Sequence, residues 1–366
     1  MQKRAAPAQK AAKLERVQRL REPFVLEGQT IPAGQRRIVD IPLSMMSDHT
    51  PATVSVQVIH GKRDGPTVFI SAAIHGDEVL GVEIIRRLGR LVALRRLSGT
   101  LLLVPIVNSF GFIGQSRYLP DRRDLNRSFP GNINGSLASR LAHLFLNNVV
   151  RRCDYGIDLH TAAIHRNNLP QARVDLKSKK ARILAEAFEP PVILNASLRE
   201  GSLRAAASEL GIPVMVFEAG EALRFNEVAV RVGVAGIMKV LRHLKMVAKG
   251  TTRSANKKIR KTPVATKSSW IRATEGGLLR TRHDIGDYVR EGDILGLISD
   301  PFGARETEVL ATKDGLIIST STIPLVNQGD AVFHIAFLSE AAASDASIEA
   351  IEDEIDSNPI FEYDEL

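Results

Sequence analysis

The sequence predicts an α/β protein, a largely parallel sheet with helices on both faces, followed by a small all-β module. Continuous apolar runs such as residues 67–74 alternate with stretches whose apolar residues recur every three or four positions. Strands buried on both faces and joined by amphipathic helices read this way. From Trp270 onward the helical spacing disappears, and Gly276, Gly277, Gly286, Gly292, Gly296 and Gly315 punctuate short apolar runs, the mark of a compact β module. The 366 residues suit about two domains at roughly 150 residues each.

Taken in order, residues 1–22 read as a basic arm without a packed face. Residues 37–41 and 53–58 are β-like, and 62–66 (Lys-Arg-Asp-Gly-Pro) form a turn. A buried strand over 67–74 is followed by a helix over 79–94 and a second buried strand over 99–107. Residues 108–132 make a loop too long for a simple connector, and such loops are commonly functional. Helices are expected over 137–152, 178–188, 203–210 and 226–246, and strands over 154–159, 192–194 and 213–217. The expected organisation is an arm (1–22), an α/β domain (23–246), a basic linker (247–267), a β module (268–338) and an acidic tail (339–366).

Composition excludes some classes. There are 49 Lys+Arg against 41 Asp+Glu, a net +8, and 44% of the residues are hydrophobic. That rules out a wholly disordered chain and a multi-span membrane protein. The N-terminal arm has no apolar core, so it does not read as a secretory signal. One cysteine, Cys153, excludes a disulfide framework and a paired-cysteine zinc site. It fits a reducing compartment, and a cytoplasmic location is expected. Residues 239–272 contain no acid, while 340–366 contain no Lys or Arg. Without interleaved aromatics or a binding motif, these charge runs read as solvated segments; nucleic acid and membrane are not the expected partners, and a homo-oligomer stays open.

The chemistry gathers at strand ends. Ile74-His75-Gly76-Asp77-Glu78 follows the first buried strand, Asp158-Leu159-His160 closes another, and Phe217-Glu218-Ala219-Gly220 closes a third. Ligands of open α/β sheets bind just outside the carboxyl ends of the strands. His75, Glu78 and His160 would make a His₂Glu set with one zinc position left for water, Glu218 a base beside it and Asp158 a partner that orients a ligand histidine. Two hydrogen-bonded core histidines are the plainer alternative, and the residues alone leave both open.

These motifs, together with Asp124-Leu125-Asn126-Arg127-Ser128-Phe129-Pro130-Gly131, occur in an order that resembles the succinylglutamate desuccinylase/aspartoacylase family, zinc carboxypeptidase-like hydrolases, over roughly residues 50–246. The resemblance implies a zinc-carboxypeptidase-like mixed, largely parallel sheet and one catalytic Zn2+ held by His75, Glu78 and His160. It also implies Glu218 as general base and acid, Arg117 as the group that polarises the scissile carbonyl, and Asn126 with Arg127 as the holders of a substrate carboxylate. A guanidinium fork suits a carboxylate in a way lysine does not. Arg204 is a further candidate substrate contact. The C-terminal module resembles the barrel-sandwich fold of biotinyl and lipoyl domains. Lys313, in Ala311-Thr312-Lys313-Asp314-Gly315, lacks the carrier context, so the module reads as a wall or assembly element.

The expected activity is therefore zinc-dependent hydrolysis of the amide of a small N-acyl amino acid or related carboxylate-bearing amide. The rivals are a metallocarboxypeptidase acting on peptide C-termini and a catalytically silent binding protein on the same fold.

Overall fold

In a computed structural model of the chain, residues 21–248 and 262–344 are described. Nearly all of the basic arm, most of the linker and most of the acidic tail lie outside those residues. The apolar run at 67–74 falls in a strand, Arg63–Ala72, with parallel neighbours on both sides, Ser98–Val104 and Tyr155–Ala162. Val214–Glu221 adds a further parallel strand beside Tyr155–Ala162. Successive side chains point to opposite faces. Val68 and Ile70 enter the apolar cluster under helices Leu80–Arg90, Lys179–Phe188 and Glu227–His243, while Phe69 enters the cluster under Leu137–Asn148 and Leu203–Glu209. Burial on both faces is why these strands show no polar alternation.

Along its main path the sheet is parallel in its middle and antiparallel towards both ends, and Val192–Asn195 with Val264–Ala265 branches off Arg166–Val174 in parallel pairing. On one side lie Pro51–His60 and then Arg36–Met45. On the other, Arg166–Val174 pairs antiparallel with Val214–Glu221, and Gly315–Ser321, Ala331–Ala336 and Ser268–Arg272 continue outward. The C-terminal strands thus extend the sheet through main-chain hydrogen bonds. A separate antiparallel sheet, Glu306–Leu310, Ile294–Ser299, Gly277–Thr281 and Leu325–Val326, closes the C-terminal module over its own apolar cluster.

Several local expectations change. The turn expected at 62–66 is mostly strand, since pairing begins at Arg63. The 108–132 loop contains a short helix, Ser109–Ile113, and a 3-10 turn, Leu125–Arg127. Among the described residues, no helix is long and apolar enough to cross a membrane.

From Arg63–Ala72 the chain builds Ser98–Val104 on one side, then crosses to build Tyr155–Ala162 on the other. The crevice at such a reversal of strand order is where α/β sheets bind ligands. His75 lies just beyond Arg63–Ala72 and His160 within Tyr155–Ala162.

Candidate active site

The turn leaving Arg63–Ala72 is constrained. Ala73 has φ 50°, a left-handed conformation that costs a non-glycine residue energy and clusters at functional sites. Gly76 packs against the Gly111 main chain so closely that a Cβ would overlap it. The sequence therefore admits only glycine between His75 and Asp77, and the turn delivers His75 and Glu78 to one point. His75 Nδ1 lies 2.7 Å from Glu78 Oε1, and His160 Nδ1 lies 2.6 Å from Glu78 Oε2. All three side chains are buried, with ligand-capable atoms within 4.8 Å of one another.

The remote nitrogens are held too. His160 Nε2 is 2.7 Å from Asp158 Oδ2, and Asp158 Oδ1 accepts a 2.7 Å bond from Ser71 Oγ. His75 Nε2 is 3.2 Å from Asp124 Oδ1. Burial pulls both imidazole pKa values down, but Glu78 and Asp124 around His75, and Asp158 and Glu78 around His160, outweigh it and raise them. Glu78 shifts the other way: burial pushes it up, and the two imidazoles more than reverse this. The donor set fits a divalent cation. Three buried ligands of zinc-binding type converge, each histidine is oriented by a carboxylate behind it, and a metal would displace imidazole protons from Glu78.

Glu218 sits in register beside His160 across the parallel strand pair. Its Oε2 accepts from Asn168 Nδ2 at 2.9 Å and pairs with Arg173 Nη2 at 3.0 Å. Arg117 places Nε and Nη2 at 3.2 and 3.0 Å from Asp124 Oδ2, while Nη1 reaches to 3.4 Å from Glu78 Oε1. Asn126 uses its Oδ1 on the Leu203 N–H at 2.9 Å, at the start of helix Leu203–Glu209. Arg127 is anchored by a bond to the Asn126 carbonyl. Beneath it, Gly201 at φ 77° brings the next loop against the Arg127 main chain, where a Cβ would have no room. Arg204 donates from both Nη atoms, at 3.0 Å each, to the carbonyls of Ala196 and Ser197.

All eight of these sequence-derived residues, the metal set included, line one cavity of about 510 Å³. Sequence reasoning assigned no role to Asp124, which joins His75 to Arg117 across a separation of 49 residues in sequence from His75. It also missed Asn168, Arg173 and Arg166, from a strand that was not anticipated, and Trp270 and Ser319 from the C-terminal strands. A polar strand interrupted by Pro170 gives no periodic signal. The dense arginine and asparagine content of residues 166–173 was the available clue.

Trp270 stacks on His334 with centroids 4.4 Å apart and planes 13° apart, and Arg166 lies over Trp270 at 4.9 Å. Burial, with Arg173 and Arg166 nearby, pushes the His334 pKa down to about 3. A histidine depressed from 6.5 in this way favours the fold fully above its unfolded pKa and progressively less as pH falls towards 3. The loss is about 5 kcal/mol at most, at ~1.4 kcal/mol per pH unit. Chemical denaturation between pH 7 and 4 should therefore show a stability decline that flattens in His334→Phe; an unchanged slope in that variant removes His334 as its source.

Residues 64–244 match the family model of the succinylglutamate desuccinylase/aspartoacylase catalytic domain. The chain carries that catalytic domain. A curated relative, the N-alpha-acetyl-L-2,4-diaminobutyric acid deacetylase of Halomonas elongata, is 24% identical over 317 residues, covering 84% of this chain and 92% of the relative. A solved succinylglutamate desuccinylase/aspartoacylase from Rhodobacter sphaeroides is 25% identical, with TM-score 0.72, and covers 82% of this chain and 96% of its own. The product-bound ectoine utilization protein of Ruegeria pomeroyi shares the fold at TM-score 0.74 and 23% identity, over 87% of this chain and 99% of its own. The relatives of this desuccinylase/aspartoacylase domain are deacylating hydrolases.

Proposed function

We propose that the chain is a zinc-dependent hydrolase that removes the acyl group from a small N-acyl amino acid. The observation that carries this reading is the convergence of the His75–Glu78–His160 donor set and Glu218 on one cavity rich in arginine. Zinc bound there supplies an activated water and a Lewis acid. Glu218 accepts the proton of the attacking water and returns it to the departing amine. Arg117 donates to the carbonyl oxygen as negative charge develops on it. Arg127 pairs with the substrate carboxylate, and Asn126, its oxygen already committed to Leu203, donates from its amide nitrogen. Arg204, with both Nη atoms on main-chain carbonyls, fixes the wall at residues 196–197.

The size of the cavity favours small amides over peptide C-termini. About 510 Å³ lies within the range of small-molecule sites, and Trp270 and Ser319 from the C-terminal strands close one side. The deacetylase activity named for the Halomonas relative supports the same reaction class. The test is elemental mass spectrometry of the native chain and of His75→Ala, each purified without added metal, joined to an amine-release screen of N-acyl amino acids and peptides. About one zinc per native chain, lost in the variant, with turnover of acyl amino acids, is expected from a three-ligand site. No metal after zinc is offered, or preferential cleavage of peptides, overturns the proposal.

A further inference from the structure

A second, smaller cavity of about 160 Å³ lies at the other end of the sheet. Lys62, which lines it, precedes the strand Arg63–Ala72, whereas His75 follows that strand. Ten residues of strand span about 33 Å at ~3.3 Å each, so this cavity is remote from the metal set. Four cations line it, Arg36, Lys62, Arg95 and Arg96, and no Asp or Glu does.

Three chain segments bring these cations together. Arg36 opens the strand Arg36–Met45, Lys62 sits in the turn between Pro51–His60 and Arg63–Ala72, and Arg95 and Arg96 end the 3-10 turn Val92–Arg96. Close approach of main chain fixes the arrangement. A Cβ on Gly61 would overlap the Leu97 main chain, so glycine is what lets the Lys62 turn close on the segment carrying Arg95 and Arg96. The stem of Lys62 lies across Gly34, which has φ 83° and leaves no room there for a Cβ. The Gly34 N–H donates to the His60 carbonyl at 2.7 Å, and the His60 N–H to the Gln35 carbonyl at 2.9 Å. Arg63 Nη2 holds the Arg96 carbonyl at 2.8 Å.

The charges are not neutralised from within. None of the four pairs with a carboxylate among the described residues; Arg36 donates to the Gly89 carbonyl at 3.0 Å. Asp64, two residues beyond Lys62, pairs instead with Arg21 at 3.6 Å. Like charges gathered in a concave site raise the local potential and attract an anion. A carboxylate offers one charge and two acceptors in one plane, which a single guanidinium fork satisfies. A phosphate group carries about −1.5 to −2 and three strong acceptor oxygens, and these diverge as the cations around this cavity do.

We infer that this cavity is a second ligand site, independent of the deacylase centre, and that it binds phosphate, either the free ion or the phosphate group of a small phosphorylated molecule. Its volume suits one such group and little more.

The test is calorimetric titration of the full chain with inorganic phosphate, glycerol 3-phosphate, acetate and a single-stranded oligothymidylate, all at one ionic strength. Phosphate or its ester is expected to bind about tenfold or more tightly than acetate. Arg95→Gln/Arg96→Gln should weaken that binding by about 10- to 100-fold, the range of lost charge-assisted hydrogen bonds, and Lys62→Gln by about tenfold. Both changes fall on exposed side chains, so melting temperature without ligand, metal content and amide hydrolysis should stay as in the native chain. Arg127→Gln and His75→Ala, in the catalytic cavity, should leave the binding in place. Binding of inorganic phosphate alone identifies the free ion as the ligand, and tighter binding of the ester identifies a phosphorylated molecule; both uphold the site. Equal affinity for acetate, no binding of either phosphate, or binding that survives Arg95→Gln/Arg96→Gln but is lost in Arg127→Gln or His75→Ala overturns the inference. So does binding of the oligothymidylate alone, which would reveal diffuse surface charge answering to a phosphodiester chain.

Discussion

Glu218→Gln is expected to lower the rate of amide hydrolysis by about 10²- to 10⁴-fold, the scale of a lost general acid–base, while zinc content and melting temperature stay unchanged. Glutamine is nearly isosteric, and the contacts of the Glu218 carboxylate with Asn168 and Arg173 both fall on Oε2. The amide oxygen of glutamine can occupy that position and accept from Asn168 and Arg173 as before. Its nitrogen then replaces Oε1 and cannot take up a proton. The metal set loses nothing, because neither His75 nor His160 bonds to Glu218. Amine release and elemental analysis on the same preparation make the comparison. Full activity in the variant removes Glu218 from the chemistry. Joint loss of activity and zinc would show that its role is structural.

Strands buried on both faces were legible because burial writes continuous apolar runs, as at 67–74 and 99–107, and helices because one apolar face recurs at three and four. His75, Glu78, His160 and Glu218 were legible because strand ends are marked locally by the apolar run that stops there. Arg166–Val174 was not. One side of that strand packs Leu169, Ala172 and Val174 into the core, but Arg166, Asn168 and Arg173 line the cavity, and the register shifts opposite Glu218 and Gly220. A strand lining a polar site loses the alternation that reveals strands elsewhere. Asp124 was hidden for another reason. Its local signature, an acceptor for the Asn126 N–H at the start of a 3-10 turn, is complete in itself, and its reach to His75 exists only once the 108–132 loop folds back over the crevice. The polar wall from Trp270 to Ser319 depends on pairing between residues about 150 apart, Asn168 with Ser319, which no local pattern encodes.

Arg117→Gln is expected to reduce kcat by about 10²- to 10³-fold with little change in KM, as removal of a donor to a developing oxyanion does. The geometry explains why this arginine suits that role. Asp124 holds its Nε and Nη2 through one oxygen, and Nη1 is left pointing towards Glu78 at the rim of the metal set. Burial lowers the Arg117 pKa, but Glu78 and Asp124 outweigh it and raise it, so the group stays charged at every working pH. Arg117→Lys should recover little, because an ammonium cannot bond Asp124 through two nitrogens and still present a third. Asp124→Asn gives the complementary test. It removes the charge that steadies Arg117 and the acceptor behind His75 at once, so zinc affinity should fall along with kcat, by about 10- to 100-fold for a lost partner of a ligand histidine. Steady-state kinetics with zinc titration separates the two effects. If Arg117→Gln raises KM and leaves kcat intact, this arginine binds substrate and does not stabilise charge. If it releases zinc, its contact with Glu78 is what matters.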